Sequence, residues 1–375
     1  MPLAIAATLA AAAAAPAAAH VGHAPHPESW SSWRIDPDIA LGVLVAGGVY
    51  LRGALRRERA RHPPAHWRHV AFLAGLGAVA IALESPVDPM AERLFWMHQV
   101  QHMLLRILAP LLIALSAPQA VLVAGLPRSW RRRALAPLLR SARLDLLWTA
   151  IRAPVPLFAI YVAALYVWQI PALHDFALLD EPTHWLMHVT MLAAGLMFWS
   201  AILDPRDPPQ GWSHRVRQAA LVFGIFSNMA LGAVTTLKTV ELYPAYDLAG
   251  RLWGTPPMAD ESAGGFLIWA PSSMMLLVGI LLVFNLWNRA EERRLRRPPP
   301  RGRSNSAALE RPETAEELRL MVDGPNRRTG RLLGAMSASV FAMVFSIAVG
   351  VHMLHAAPAM AGHPPPAPTP AHADR

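Results

Sequence analysis

The sequence predicts an all-α, polytopic membrane helix bundle of seven core spans plus one C-terminal span, and three observations carry that expectation. Of 375 residues, 54% are hydrophobic and 16% charged, where soluble domains average about 25% charged. Apolar stretches of the roughly 20 residues needed to cross a bilayer recur along the chain. Basic and acidic connections alternate between them, as they do when successive loops face opposite sides of a membrane.

In chain order, residues 1–19 read as a secretory signal, with the small residues Ala17 and Ala19 before a cleavage point. Residues 20–37 form an external segment containing His20, His23 and His26. The membrane domain, 38–290, holds spans near 38–55, 67–84, 94–124, 154–171, 183–203, 216–237 and 264–288. The third is too long for one straight crossing, so a kink is expected at Pro110 or Pro118. Residues 291–332 are rich in Pro, Arg and Glu and read as a cytoplasmic linker. An eighth span is expected at 333–355, followed by an external disordered tail at 356–375.

Charge sets the orientation. Arginines cluster from Arg52 to Arg61, Arg128 to Arg143, Arg206 to Arg217 and Arg289 to Arg303, after the odd-numbered spans. The alternate connections carry Glu84, Asp88 and Glu92; Asp175, Asp180 and Glu181; and Glu241, Asp247, Asp260 and Glu261. The positive-inside rule then places both termini on the periplasmic side of a bacterial inner membrane. The net charge of +9 thus belongs to short loops facing lipid headgroups, and no nucleic-acid partner is expected.

The chain has no cysteine, which excludes disulfides, iron–sulfur clusters and thiolate metal sites. It contains no nucleophile elbow, P-loop or dinucleotide fingerprint, and an enzyme is not expected. The informative side chains are histidines. His98 and His102 open the third span, and His184 and His188 open the fifth. A spacing of four residues puts both imidazoles of a pair on one helix face. Ionisable groups at membrane depth mark function, so the two pairs are candidate ligands for one metal or haem. With the assigned orientation, twelve of the 16 histidines lie on the external side, His174 among them. Met90, Met97, Met103, Met187, Met191, Met258, Met353 and Met360 follow the same side. Imidazole suits copper and thioether selects Cu(I), which favours copper over zinc. Haem b with one histidine from each helix is the alternative cofactor.

Several further residues have chemical possibilities. Arg106 stands one turn below His102 and needs a partner, with Asp88, Glu92 and Asp260 as candidates. Asn228 is expected to hydrogen-bond a neighbouring helix. In the loop ELYPAYDLAGRLWGTPPMADESAGG, the tyrosines and tryptophan suit an interfacial belt. Met103, Met258 and Asp260 are secondary candidates as ligands or supporting groups. Gly264 and Gly265 would let the seventh span approach a neighbour closely.

Four segments then carry a family resemblance: MHQVQHMLLRILAPLLIALSAP at 97–118, HWLMHVTMLAAGLMFW at 184–199, NMALGA at 228–233, and LYPAYDLAG with the following GG-x3-W and PSS at 242–273. They resemble the caa3-type cytochrome c oxidase assembly factor CtaG, a polytopic family distinct from the cysteine-dependent single-span copper chaperone of the same name. The resemblance covers roughly 38–290. It implies a role in assembling cytochrome c oxidase, with copper held at the outer face by His98, His102, His184 and His188 and passed to the oxidase copper centre. Partners would be oxidase subunits and periplasmic copper chaperones. A haem b membrane cytochrome, and a metal-free scaffold or transporter, are the competing functions. Two departures stand out: the eighth span lies outside the resemblance, and Glu261 follows Asp260 where an amide is expected.

Overall fold

The computed structural model describes residues 35–58, 64–206 and 210–295, together with Trp33, Arg327, Arg331 and Ala335. The expectations for the signal segment, the eighth span, the C-terminal tail and most of the N-terminal segment and linker lie outside the described residues. Among the described residues all regular structure is helical. The principal helices are α1 (Pro37–Glu58), α2 (His66–Glu84), α3 (Phe95–Ser116), α4 (Pro154–Tyr166), α5 (Glu181–Ile202), α6 (His214–Leu237) and α7 (Pro257–Leu295).

All of these except α4 are long and apolar enough to cross a membrane. The fourth expected span, 154–171, is shorter than the sequence suggests. Its α-helix stops at Tyr166 and a 3-10 turn, Val167–Gln169, follows before Pro171. It reaches spanning length only together with the helix Ala142–Ile151, from which it is bent by 69°. Pro154 and Pro156 explain the break, since neither supplies the backbone donor that a continuous helix needs. The seventh helix instead overruns its expected end by several residues, to Leu295.

α3 is the central helix. Of its apolar window 67% is buried, against 22% for α1. It packs on α2, α5 and α7. One core cluster joins Ile107 and Leu111 of α3 to Tyr161 of α4, Phe198 and Trp199 of α5, Leu221 of α6 and Leu276 of α7. On the outside of the bundle Leu44, Val70, Phe223 and Phe284 are exposed, the apolar surface that lipid would cover.

Where a kink is expected, the third span departs from a regular α-helix at two places. Pro110 has no N–H for the carbonyl of Arg106, and the turn Leu104–Leu108 widens to a π-helix, with Ala109 N–H reaching back to the carbonyl of Leu104. The helix then stops at Ser116, where Ala117 takes a left-handed conformation (φ 49°) before Pro118. The widened turn is also a contact point. A Cβ on Gly195 of α5 would lie 2.3 Å from the Arg106 carbonyl oxygen and 2.8 Å from Pro110 Cγ. Glycine is therefore required where α5 crosses α3. Gly264 and Gly265 do the same for α7, as expected: a Cβ on Gly264 would meet the Phe95 ring at 2.2 Å, and one on Gly265 would meet Thr236 Oγ1 at 2.5 Å.

The starts of α3, α5 and α7 meet at one end of the bundle. At the other end Arg56 of α1 donates to the Ala124 carbonyl at 2.7 Å, and Arg152 pairs with Asp204 at 3.3 Å. Arg206 also binds Asp204, at 2.6 Å. Burial of Asp204 opposes its ionisation, but the Arg206 hydrogen bonds and charge outweigh this and hold its carboxyl below the usual range.

Candidate metal centre

Two caps fix the depth of the histidines. α5 begins with a local one: the Asp180 carboxylate accepts from Thr183 N at 3.0 Å and from its hydroxyl. That start places His184 in the first turn and His188 one turn deeper. α3 lacks a local cap, because Leu94 precedes it. Its first amides are satisfied from the far side of the sequence instead. Asp260, in the first turn of α7, accepts from Phe95 N at 3.0 Å and from Trp96 N at 2.9 Å. A carboxylate there also complements the positive end of the helix dipole.

The two HxxxH faces meet. Ring centroids lie 4.3 Å apart for His98/His102 and 4.4 Å for His184/His188 within the pairs. Between helices, His98 is 5.2 Å from His184 and 5.9 Å from His188, and His102 is 5.9 Å from His188. His98, His102 and His188 are buried, and each offers a ring nitrogen within 4.8 Å of the other two. Nitrogens bonded at about 2 Å to one trigonal ion stand about 3.5 Å apart, so a small inward movement closes the set. His184 lies beside this group without joining it. Three of the four expected ligands therefore converge, and the fourth sits at the rim.

The hydrogen bonds assign the tautomers. His174, on the short helix Pro171–Leu179, has Nδ1 2.8 Å from the Trp168 carbonyl and Nε2 2.8 Å from the Tyr246 hydroxyl. A carbonyl only accepts, so His174 Nδ1 carries the proton and Nε2 is an acceptor. Tyr246 must then donate to His174, which leaves its oxygen to accept from His98 Nδ1–H at 2.7 Å. His98 Nε2 is left as a buried lone pair with no hydrogen-bond partner. Burial supports the assignment: it pushes the His174 pKa down to about 4 and the Tyr246 phenol well above its usual value, so both stay neutral near pH 7. His174 is thus committed at both nitrogens and is a supporting group. Nε2 of His102, His184 and His188, and Nδ1 of His102, are likewise buried and unpartnered. Buried polar atoms are almost always satisfied, so this concentration of orphaned nitrogens fits a cation that imidazoles bind.

An ion-pair network holds the tyrosine loop over the rings. Arg251 pairs with Asp260, with Glu241 at 2.8 Å and with Asp247 at 2.7 Å. Glu261 pairs with Lys238 and accepts from Leu242 N at 3.0 Å and Tyr243 N at 2.9 Å. Two backbone donors and an ammonium require an acid, which accounts for Glu261 at a position where an amide is expected. Tyr243 stacks on Phe95 at 4.4 Å and donates to the Gln169 carbonyl at 2.9 Å. Tyr243 and Tyr246 are therefore buried, contrary to the interfacial belt expected of them, while Trp253 is exposed.

Other expectations are corrected. Asp260 acts on the helix start and on Arg251 rather than on the rings. The Met258 sulfur lies 3.7 Å from Lys238 Nζ. Met90 and Met97 pack in one apolar cluster, Met187 and Met191 in another, and Met103 is half-buried against the core. Arg106 meets none of the acids suggested for it: its guanidinium lies 3.9 Å over the Tyr161 ring and donates to the Tyr161 carbonyl at 3.4 Å. Asn228 is fully buried, but neither its amide oxygen nor its nitrogen has a hydrogen-bond partner. A mostly apolar crevice of ≈ 50 Å³ lined by Asp38, Ile39, Val79, Leu83, Trp185 and Leu192 reaches His188.

Sequence reasoning missed Tyr246 and His174 as supporting groups. His174 carried a signal, since it stands in the acidic connection before the second histidine pair. Tyr246 is 148 residues from His98 and carried none.

The profile of the family described as "Cytochrome c oxidase caa3 assembly factor (Caa3_CtaG)" matches residues 48–290. An uncharacterized protein of Mycobacterium leprae is 26% identical over 275 residues, covering 70% of this chain and 40% of that protein. Uncharacterized proteins of Mycobacterium bovis and Mycobacterium tuberculosis are 26% identical over 273 residues with the same coverage. The chain thus matches 40% of the length of these curated relatives. No solved structure matches the chain.

Proposed function

The chain belongs to the cytochrome c oxidase caa3 assembly factor family, and from that premise we propose that it carries copper to the oxidase, holding Cu(I) between His98, His102 and His188. The observation that carries this reading is the set of three buried imidazoles whose nitrogens share one 4.8 Å neighbourhood. Neutral imidazoles suit Cu(I), and the absence of cysteine keeps the site free of thiolates that would bind it more tightly. His184, at the rim beside His98 and His188, is placed to accept the ion on its way in or out. The copper is cargo: in this reading the protein binds, orients and releases it and catalyses no reaction. Periplasmic copper donors and the oxidase subunits that receive the ion are the expected partners, met at the outer face of the inner membrane.

Haem b is disfavoured by crowding. A macrocycle needs an open slot between its two axial rings, and here His102 and His174 stand 4.3 and 4.9 Å from His98. Full-length protein loaded with Cu(I) and dialysed should retain about one ion per chain and show no Soret band. Cells lacking the gene should assemble oxidase deficient in copper. Metal-free protein after loading, or a Soret band, would sink the proposal.

Tyr246 tests the tautomer assignment. Tyr246→Phe removes the hydroxyl that accepts from His98 while leaving the ring packing in place. Losses of supporting contacts typically cost 10–100-fold in metal affinity, so Cu(I) affinity should fall by about that factor, with some loss of thermal stability because His98 Nδ1–H and His174 Nε2 are left unpaired. Competition with a chromogenic Cu(I) chelator measures it, and unchanged affinity would reject the assignment.

A further inference from the structure

Gln99, His102 and Arg106 project from one face of α3, three and four residues apart. Together with Met103, Ile268 and Ser272 they line a cavity with ≈ 10 Å³ of space for the centre of a water-sized atom, room for a single small species. Its polar atoms are nearly all donors. Arg106 Nη2 is buried without a partner, and so is Gln99 Nε2, whose own oxygen is occupied by Gln169 Nε2 at 2.9 Å. His102, neither of whose nitrogens has a partner, carries one N–H with or without a metal. The Ser272 hydrogen is spent on the Leu267 carbonyl at 2.9 Å, freed by Pro271. The Ser272 oxygen is thus the one evident acceptor, too few for both hydrogens of a water that these donors would hold.

The charge is uncompensated too. Among the described residues no carboxylate pairs with Arg106, which is 3% exposed and meets only Tyr161. An ion held by neutral histidines one turn away adds positive charge to the same buried volume. We propose that Arg106, Gln99 and His102 bind one halide-sized monovalent anion beneath the histidine cluster, and that this anion and copper strengthen each other's binding. The coupling rests on the copper reading above; the anion site does not.

The test is equilibrium dialysis of the full chain in detergent against radioactive chloride in gluconate buffer. Saturable uptake approaching one chloride per chain is expected, displaced by bromide but not by the larger sulfate. Arg106→Gln should weaken uptake at least about tenfold, and Arg106→Lys should restore part of it. Uptake that does not saturate in the wild type, or that Arg106→Gln leaves unchanged, overturns the site. Because the wild-type saturation and the bromide–sulfate contrast need no variant, misfolding of a substituted chain cannot mask the result. Copper loading should tighten chloride binding by about tenfold, and chloride should tighten copper binding equally, since such coupling is reciprocal. Copper retained with no chloride bound overturns the anion site alone, while chloride bound with no copper overturns the copper reading alone.

Discussion

Replacing His98 and His188 together by alanine is expected to abolish Cu(I) retention, because it removes two of the three nitrogens that share one neighbourhood and leaves only His102. Each single substitution should lower affinity by more than the about 10–100-fold that accompanies loss of a supporting group. His184→Ala should do less, since its ring nitrogens lie outside the three-nitrogen group. Copper stoichiometry by metal analysis, with chelator competition for affinity, reads all four proteins. A His184→Ala chain as empty as the double variant would show that the ion sits nearer the rim. The double variant should fold, because the rings it deletes leave no buried hydrogen bond broken except the one from His98 to Tyr246.

Asp260→Ala should produce the largest loss of stability. The wild-type carboxylate is fully buried, receives the first two amides of α3 and pairs with Arg251. Arg251 keeps Glu241 and Asp247 as partners, so losing this carboxylate costs less than the about 3–5 kcal/mol of a wholly stranded buried charge. Here the unpaired helix amides add to that cost. Arg251 also tethers the loop that carries Tyr243 and Tyr246, so the variant should lose copper as a second consequence. Asp260→Asn keeps one acceptor for the amides but not the charge, and should fall between wild type and Asp260→Ala. Thermal unfolding in detergent orders the three chains. An Asp260→Ala chain that melts like the wild type would mean that α3 is anchored elsewhere.

These expectations differ in how far the sequence could have supplied them. The histidine pairs were legible because a four-residue spacing is a local property of a helix. The glycines at 264 and 265 were legible for a similar reason: small residues at the start of a span have few other uses. Arg106 was recognised as needing a partner, but its partner was misjudged. Reading along the chain favours nearby acids, whereas the group it meets is a tyrosine 55 positions away. Met258 and Asp260 were grouped with the ligands because they share a loop at the correct end. The structure sends one to Lys238 and the other to the start of α3.

By itself the sequence determined that the chain is a helical membrane bundle, where most spans lie, and that two histidine faces stand at the same end. These follow from apolar length, from charge alternation and from the 3.6-residue period, all of which act over one or two turns. Only the tertiary structure decided that the faces meet, that three imidazoles converge while the fourth stays at the rim, and that His98 turns Nε2 inward. Those outcomes depend on α5 crossing the widened turn of α3 at Gly195, and on a loop near residue 246 folding back over residue 98. Contacts of that range are set by the packing of whole helices and by one buried ion-pair network, and no local pattern encodes them.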